Sequence, residues 1–351
     1  MGHMKKYRCP VCAVTDNVVG FGRRKKVLRY FCKACHKHFS VDPCFLDTKT
    51  ILSDHLDGLS FRDLSRRYHL SPMKAWRICE EELKKLPNNN QFTFNYCSLF
   101  SNTFVFDGKY FNLAGKDHDW VFLWGIDYFR HDIPVFLVAP SESYQSWSKL
   151  FFYLRVINHY PELIVCDDNT NLKMAARKSF PAVKIQTCFN HFKENIRRDL
   201  KVRSDEAYKP FMRRIEAVLH DKQSDEAMNR LLFSLYEDYQ KDPVAVSILT
   251  NIERYRSELT GYRRIPGSPV TNNIMEGLNS HLESRLAGLC SFQSLSYARL
   301  WFNGYVLKRR FTSFTDCRGK FRSLNGKRGV DLTKKPGVDL PSLFLIVINR
   351  F

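Results

Sequence analysis

No stretch of the sequence approaches the ~18 consecutive apolar residues that a membrane-crossing helix needs. An apolar export leader is missing as well. Met1-Gly2-His3-Met4 has the form of an expression scar, and Lys5-Lys6-Tyr7-Arg8 leads straight into a cysteine pair. Both absences point to a soluble, intracellular chain with no membrane partner. Acidic residues are also short: 36 Asp and Glu face 55 Lys and Arg, a net charge of +19. The shortage sits at the ends. Residues 1–86 carry 18 basic against 9 acidic groups, residues 301–351 carry 11 against 3, and the 214 between them net only +2. Basic ends around a neutral body are the charge pattern of a chain that holds a polyanion.

A disulfide framework is excluded although eleven cysteines are present, because the chain is long and has no export signal. Seven of them, Cys44, Cys79, Cys97, Cys166, Cys188, Cys290 and Cys317, are expected to be reduced, buried thiols. The other four form two C-x-x-C pairs, Cys9/Cys12 and Cys32/Cys35, nineteen residues apart. Two such knuckles brought together by a hairpin supply the four thiolates of a tetrahedral zinc site. Residues 5–47 therefore read as a zinc ribbon holding one structural Zn²⁺, after the scar at 1–4. His36 and His38 are alternative ligands or surface groups. Arg23, Arg24, Lys25 and Lys26 at the hairpin tip could meet nucleic-acid phosphates, or form a solvated charged face.

Residues 48–86 read as a helix-turn-helix domain. A first helix begins at Thr48 and stops at Gly58. A second is capped by Ser60 with Asp63 at its third position, and His69-Leu70 is the turn. Ser71 then caps a third helix with Pro72 at its first position. On it Lys74 and Arg77 lie one turn apart, away from Trp76 and Cys79. With Ser71, this pair would face the major groove. Residues 87–99, rich in polar and breaker residues, read as a linker.

From Thr103 to Leu200 the pattern is β-β-β-α-β-α-β-α. Three antiparallel strands followed by strands reached through helices make a mixed sheet of the ribonuclease-H-like order. In that order the first and fourth strands are neighbours, which would set Asp107 beside Asp167. Taken singly, Asp107-Gly108 could be a hairpin turn and Asp167-Asp168-Asn169 a helix cap. Residues 201–262 read as an all-α insertion, with apolar stripes at Phe211/Ile215/Val218/Leu219, Leu231/Leu232/Leu235/Tyr236/Tyr239 and Ile248/Ile252/Tyr255/Leu259. Residues 263–311 complete the core. There Glu276, Asn279 and Glu283 share one face of a helix capped by Thr271 or Asn272, and a further helix ends in Lys308-Arg309-Arg310, a candidate DNA contact. The tail at 312–351 is basic and polar and either orders on DNA or stays flexible. Leu343 to Ile348 could dock on the core.

Several pieces in order resemble the DDE transposases of the Mutator-like superfamily and their bacterial insertion-sequence relatives. They are Asp107-Gly108-Lys109-Tyr110-Phe111, Trp120 to Asp127, Glu142-Ser143-Tyr144-Gln145-Ser146-Trp147, the run from Asp167 through Phe180-Pro181 to Cys188-Phe189-Asn190-His191, and Thr271-Asn272-Asn273 with Glu276-Gly277 and Asn279. The resemblance implies that Asp107, Asp167 and Glu276 hold two Mg²⁺ or Mn²⁺ ions and cut and join double-stranded DNA. Asp168 is the alternative to Asp167. Cys188 and His191 would support the site or touch DNA, or else be a buried thiol and a core histidine; Asn273 and Asn279 belong to the same signature. The helical insertion would handle DNA, dimerise or brace the core. The implied partners are transposon ends, target DNA and at least a second copy of the chain. Its place would be the cytoplasm or nucleoid of a prokaryote, or the nucleus of a eukaryote. A silent DNA-binding regulator and a nuclease of the same fold are the competing functions.

Overall fold

The computed structural model describes residues 7–24, 27–41, 47–115, 119–202, 206–220, 223–341 and 343. The scar at 1–4, Cys44, the tip residues Lys25 and Lys26, and the segment after Leu343 lie outside them. At the N-terminal end β1 (Val18–Arg24), β2 (Val27–Cys32) and β3 (Lys37–Val41) form an antiparallel sheet in that order. Its register shifts between Gly20 and Arg23.

The helical unit follows as α1 (Thr48–Leu56), α2 (Phe61–Tyr68) and α3 (Pro72–Lys85). Ser60 and Asp63 form a full capping box, and His69 ends α2 in the left-handed conformation. Ser71 caps α3, with Pro72 in its first turn. Residues 89–96 correct the linker expectation: Asn88 caps a helix there, α4 (Asn89–Tyr96), with Asn89, Phe92 and Thr93 buried. The polar residues that suggested a linker are satisfied inside. Asn89 Nδ2 and Thr93 Oγ1 both donate to the Pro134 carbonyl, at 3.1 and 2.7 Å.

The central sheet contains β4 (Thr103–Phe111), β5 (Trp120–Asp127), β6 (Phe136–Ala139), β7 (Leu163–Cys166) and β8 (Lys184–Thr187). Their spatial order is β6-β5-β4-β7-β8, with β4 antiparallel to β5 and parallel to β7. This is the ribonuclease-H-like mixed sheet. Helices α5 (Tyr144–Val156) and α6 (Thr170–Ser179) connect the strands, and α7 (Phe189–Asp199) follows β8. Strand alternation sorts the core into two faces. Phe104, Phe106, Leu123, Ile164 and Cys166 pack with α5 and α6. Val105, Phe122, Trp124 and Val165 join the opposite face.

The insertion is all helical, as expected: α8 (Lys209–Val218), α9 (Asp225–Tyr239), α10 (Pro243–Arg254) and α11 (Arg256–Leu259). It has its own core, which also takes in Phe189, Phe192 and Ile196 of α7. The chain returns through α12 (Asn273–Leu289) and α13 (Leu295–Phe311). Trp301, Phe302 and Val306 of α13 sit between the second sheet face and Leu56, Leu64 and Leu83 of the N-terminal helices, all in one continuous core.

The tail differs from the flexible-or-DNA-ordered expectation, because 319–324 form a 3₁₀ turn and 329–333 form α14 (Gly329–Thr333). Four of its cations are engaged within the protein, while Arg318, Arg322 and Lys327 are exposed. Arg328 pairs with Asp331 at 2.5 Å, Lys334 lies 3.8 Å from Asp331, Lys335 Nζ donates to the Phe94 carbonyl at 3.1 Å, and Lys320 sits 4.8 Å from the Tyr128 ring centre. Among the scattered thiols, Cys79, Cys97, Cys166 and Cys188 are buried, but Cys290 is exposed and Cys317 half-buried. Both of these lie just beyond helix ends or in the tail, where no apolar layer covers them. Among the described residues no helix is long and apolar enough to cross a membrane.

Candidate active site

Val105 pairs beside Val165 across the parallel β4–β7 ladder. Two residues on stand Asp107, still in β4, and Asp167, one past the end of β7. Alternation turns both carboxylates to the face of Val105 and Val165, the face that α12 covers. Asp107-Gly108 is not a hairpin turn, since it lies inside β4 opposite Trp124 and Leu123. Asn169 is the cap of α6, accepting the Leu172 N–H, so Asp167 does not carry that duty. Asp168 is held elsewhere: Lys173 Nζ lies 2.5 Å from its carboxylate and 2.7 Å from that of Glu258 in the insertion.

The glutamate helix is locked over this pair. Trp124 Nε1 donates to Asn279 Oδ1 at 3.0 Å, and Asn279 Nδ2 donates to Asp107 Oδ2 at 2.9 Å. Lys109 pairs with Glu283 one turn on, at 2.9 Å. The start of α12 is stapled to the start of α7. Phe189 N–H donates to the Val270 carbonyl at 2.9 Å, Asn190 Nδ2 to Asn273 Oδ1 at 2.9 Å, and Asn272 N–H to Cys188 Sγ at 3.4 Å. Asn272 holds the cap position of α12, but its side chain makes no cap bond. Glu276, exposed in the first turn, has Oε1 3.9 Å from His191 Nε2. Cys188, His191 and Glu276 bring ligand atoms within 4.8 Å of one another. Cys188 and His191 thus stand at the glutamate rather than apart from it.

A cleft of about 650 Å³ opens here, lined by Tyr110, Glu142, Asp167, Asp168, His191 and Asn195 among others. Burial, then the Asp167 charge, pushes the Asp107 carboxyl up to about 7 against the pull of the Gly108 N–H. Burial likewise raises Asp167, with His191 pulling the other way. Glu142 is pushed to about 7 by burial and by both aspartates. His191 is raised to about 9, first by Cys188, with burial opposing. The ion pairs around the cleft engage Asp168, Glu258 and Glu283, and none among the described residues engages Asp107 or Asp167. Two in-register carboxylates with no ion pair among the described residues, and only the His191 charge nearby, are an oxygen donor set that suits hard divalent cations.

Outside the cleft, Cys9 Sγ lies 3.6 Å from Cys35 Sγ and Cys12 Sγ 3.5 Å from Cys32 Sγ, and all four fall within 4.8 Å, a cluster that could hold a metal ion. His36 and His38 pack on the Phe31 ring instead. Lys74 and Arg77 are exposed on α3, Trp76 is half-buried and Cys79 buried. Arg23 and Arg24 close β1. Arg310 is no surface contact: it is fully buried, with its guanidinium 2.7 Å from Asp132 and donating to Asn89 and Thr93. Position 310 turns into the α13 core face, which the run of three cations obscures. Lys308 is also turned inward, donating to the Ser53 carbonyl at 2.8 Å and pairing with Asp57 at 2.7 Å. Arg309 stays half-buried over Phe314. Three residues had no role from sequence: Glu142, which lines the cleft, and Lys173 and Glu258, joined behind its Asp168 wall. Only Glu142 left a signal, as part of a recognised motif just before α5.

Residues 129–293 match the family model "Transposase, Mutator family". The transposase for insertion sequence element IS256 in transposon Tn4001, from Staphylococcus aureus and from Enterococcus faecalis, is 25% identical over 154 residues, 43% of this chain and 38% of the relative. The match thus spans well under half the length of those curated relatives. Among solved structures, the HTLV-2 integrase catalytic core domain in complex with magnesium is 14% identical at a TM-score of 0.21, covering 39% of this chain and 88% of that one. A simian T-cell lymphotropic virus intasome with the PP2A regulatory subunit B56 gamma is 12% identical at 0.21, covering 60% and 65%. The strand order, not these distant likenesses, defines the fold. The family match takes in Asp167, Cys188, His191 and Glu276 and stops short of Asp107, which enters through the β4–β7 register alone. From the end of β5 to the end of the glutamate helix, the chain is similar to the Mutator-family transposases and their insertion-sequence relatives.

Proposed function

We propose that the chain is a DDE-type DNA transposase whose ribonuclease-H-like sheet carries the reaction on Asp107, Asp167 and Glu276. The observation that carries this reading is the in-register pair of half-buried aspartates, without an ion pair among the described residues, with a family-matched glutamate helix bonded to Asp107. These three residues would hold Mg²⁺ or Mn²⁺, two per site, which when bound supply an activated oxygen nucleophile and a stabilised leaving oxygen. Asn279 orients the Asp107 carboxylate and leaves its remaining lone pairs free for a cation. The α7–α12 staple holds Glu276 at the rim, and His191 beside it offers a donor toward anionic DNA. In cleavage a water oxygen, losing its proton, attacks phosphorus, and the departing 3′ oxygen takes up a proton. In joining, that 3′-hydroxyl attacks a target phosphorus and displaces another 3′ oxygen. No covalent bond to the protein forms.

The ribbon cysteines have the separations of a thiolate tetrahedron, whose edges are about 3.8 Å for zinc, so one structural Zn²⁺ would hold residues 7–41. With α3 presenting Ser71, Lys74 and Arg77, that unit would bind the terminal inverted repeats. Two ends must be held together, so the working form is at least a dimer.

The test uses labelled DNA carrying the inverted repeats that flank the gene, with Mg²⁺, beside Glu276→Gln. Cleavage at the repeat ends, lost in the variant, and later strand-transfer products are expected. Binding without any cleavage in Mg²⁺ or Mn²⁺ would instead mark a silent regulator, and cleavage without joining a nuclease.

A further inference from the structure

We propose that Cys188, His191 and Glu276 form a zinc site, separate from the ribbon, that takes the glutamate away from the Mg²⁺ centre and so switches cleavage off. The zinc site stands on its own geometry; the switch rests on the role of Glu276 proposed above. Cys188 holds the cap position of α7 and His191 follows three residues on, so both side chains leave one side of its first turn. Glu276 enters from the first turn of α12. The two helix starts are stapled to each other, Phe189 N–H to the Val270 carbonyl and Asn190 Nδ2 to Asn273 Oδ1, each at 2.9 Å. Two rigid elements therefore set where the three ligand-bearing residues stand.

A sulfur, a ring nitrogen and a carboxylate oxygen lie within 4.8 Å of one another here. That exceeds the ~3.4 Å edge of a zinc-centred nitrogen and oxygen pair by about 1.4 Å at most, and the exposed Glu276 side chain can turn through the difference. Neither ring nitrogen of His191 is taken up by a hydrogen bond among the described residues. Nε2 stands 3.9 Å from Glu276 Oε1, and Nδ1 is buried and unpaired. Cys188 Sγ accepts the Asn272 N–H at 3.4 Å, the kind of outer bond that orients a metal ligand. The side chain of Asn272 is fully buried at this junction, with neither Oδ1 nor Nδ2 paired among the described residues. Buried amides without a partner are rare, and an ion with its water beside one would satisfy it. Thiolate, imidazole and carboxylate with water in the fourth position make a zinc donor set, whereas Mg²⁺ and Mn²⁺ take oxygen. Binding sends the thiol proton, and the His191 proton, to solvent. Zinc then holds the carboxylate that the cleavage metals need and removes the His191 donor from DNA. A packing role would explain a buried Cys188. It would not explain an imidazole at the rim, beside the third carboxylate, with its buried nitrogen unpaired.

The test counts zinc on the full chain by inductively coupled plasma mass spectrometry and measures zinc affinity by competition with a chromophoric chelator. Wild type is compared with Cys188→Ser and His191→Ala. Each variant should hold one zinc fewer than wild type, or bind it at least ~10-fold more weakly, since loss of even an outer-shell partner costs that much. His191→Ala, at a half-buried position, guards the comparison against misfolding of the buried Cys188→Ser. Equal zinc content and affinity in wild type and His191→Ala overturns the site. Mg²⁺-dependent cleavage of the repeat-end DNA is then titrated with zinc. Half-inhibition should need at least ~10-fold more zinc in Cys188→Ser than in wild type. Zinc that binds at the site and leaves cleavage untouched overturns the switch. A chain that takes up the extra zinc yet never cleaves, in Mg²⁺ or Mn²⁺, overturns the transposase reading and with it the switch, while the zinc site stands.

Discussion

Asp107 sits in β4 under the glutamate helix, and its carboxyl is pushed up to about 7, first by burial and then by Asp167. A raised carboxyl holds its proton in the folded chain at a pH where the unfolded chain has lost it. The slope of unfolding free energy with pH is then negative between about 4 and about 7. Without added Mg²⁺ the chain should lose stability as pH rises through that window. Asp107→Asn should be the more stable protein at pH 8, by something on the order of 1–3 kcal/mol, and should lose the stabilisation that Mg²⁺ gives wild type. Urea unfolding at pH 5 and pH 8, with and without Mg²⁺, measures this. A variant less stable than wild type at pH 8 without Mg²⁺ would refute the strain. The aspartates were legible in the sequence because each ends an apolar run and the strand order makes those runs neighbours. Lys173 was not, and Glu142 showed only as part of a motif with no role attached, because their partners lie across tertiary contacts. Arg310 misled for a related reason: a run of three cations looks exposed, and only the packing of α13 shows which one turns inward.

The insertion reaches the aspartate strand through one buried cation. Lys173 of α6 is almost fully enclosed, and bridges Asp168 to Glu258 of α11, which also receives Arg177 and Thr187 Oγ1. Glu258→Ala strips a partner from that lysine. It should cost ~3 kcal/mol, the low end for breaking a buried pair, because Asp168 still faces the charge. Adding Lys173→Met should recover at least half of the loss, since no enclosed cation is then left. Additive losses in urea titrations of the two single variants and the double would show that the residues act independently. At this scale the amphipathic helices and the short apolar strands followed from periodicity. What periodicity hid was order built from polar residues. Helix α4 is held by Asn89 and Thr93 and the tail by Lys320, whose partners lie far off in the chain, while Arg328 ties the tail to itself through Asp331.

The N-terminal helices do not stand apart from the sheet. His55 of α1 bonds Tyr297 of α13 at 2.9 Å, and Gly304 sits against Leu56 and Leu83. A fragment of residues 1–86 should therefore lack native helix in α1–α3, because Leu56, Leu64 and Leu83 lose the surface that buries them. Circular dichroism of that fragment beside the full chain checks this, and full native helicity in the isolated fragment would contradict the shared core. The sequence divides these residues into separate domains, since a linker composition and a helix-turn-helix pattern are local signals. A core assembled from Leu56, Phe302 and Phe122 is not.

That shared core has a geometric corollary. The exposed face of α3, with Lys74 and Arg77, and the carboxylates beneath α12 are mounted on one body, with α13 as the beam between them. For an enzyme that reads DNA with the one and cuts with the other, the number of base pairs from recognised sequence to broken bond is a dimension of the protein. Base pairs inserted between the two would leave the cut at the same distance from the binding site, at a new place in the sequence.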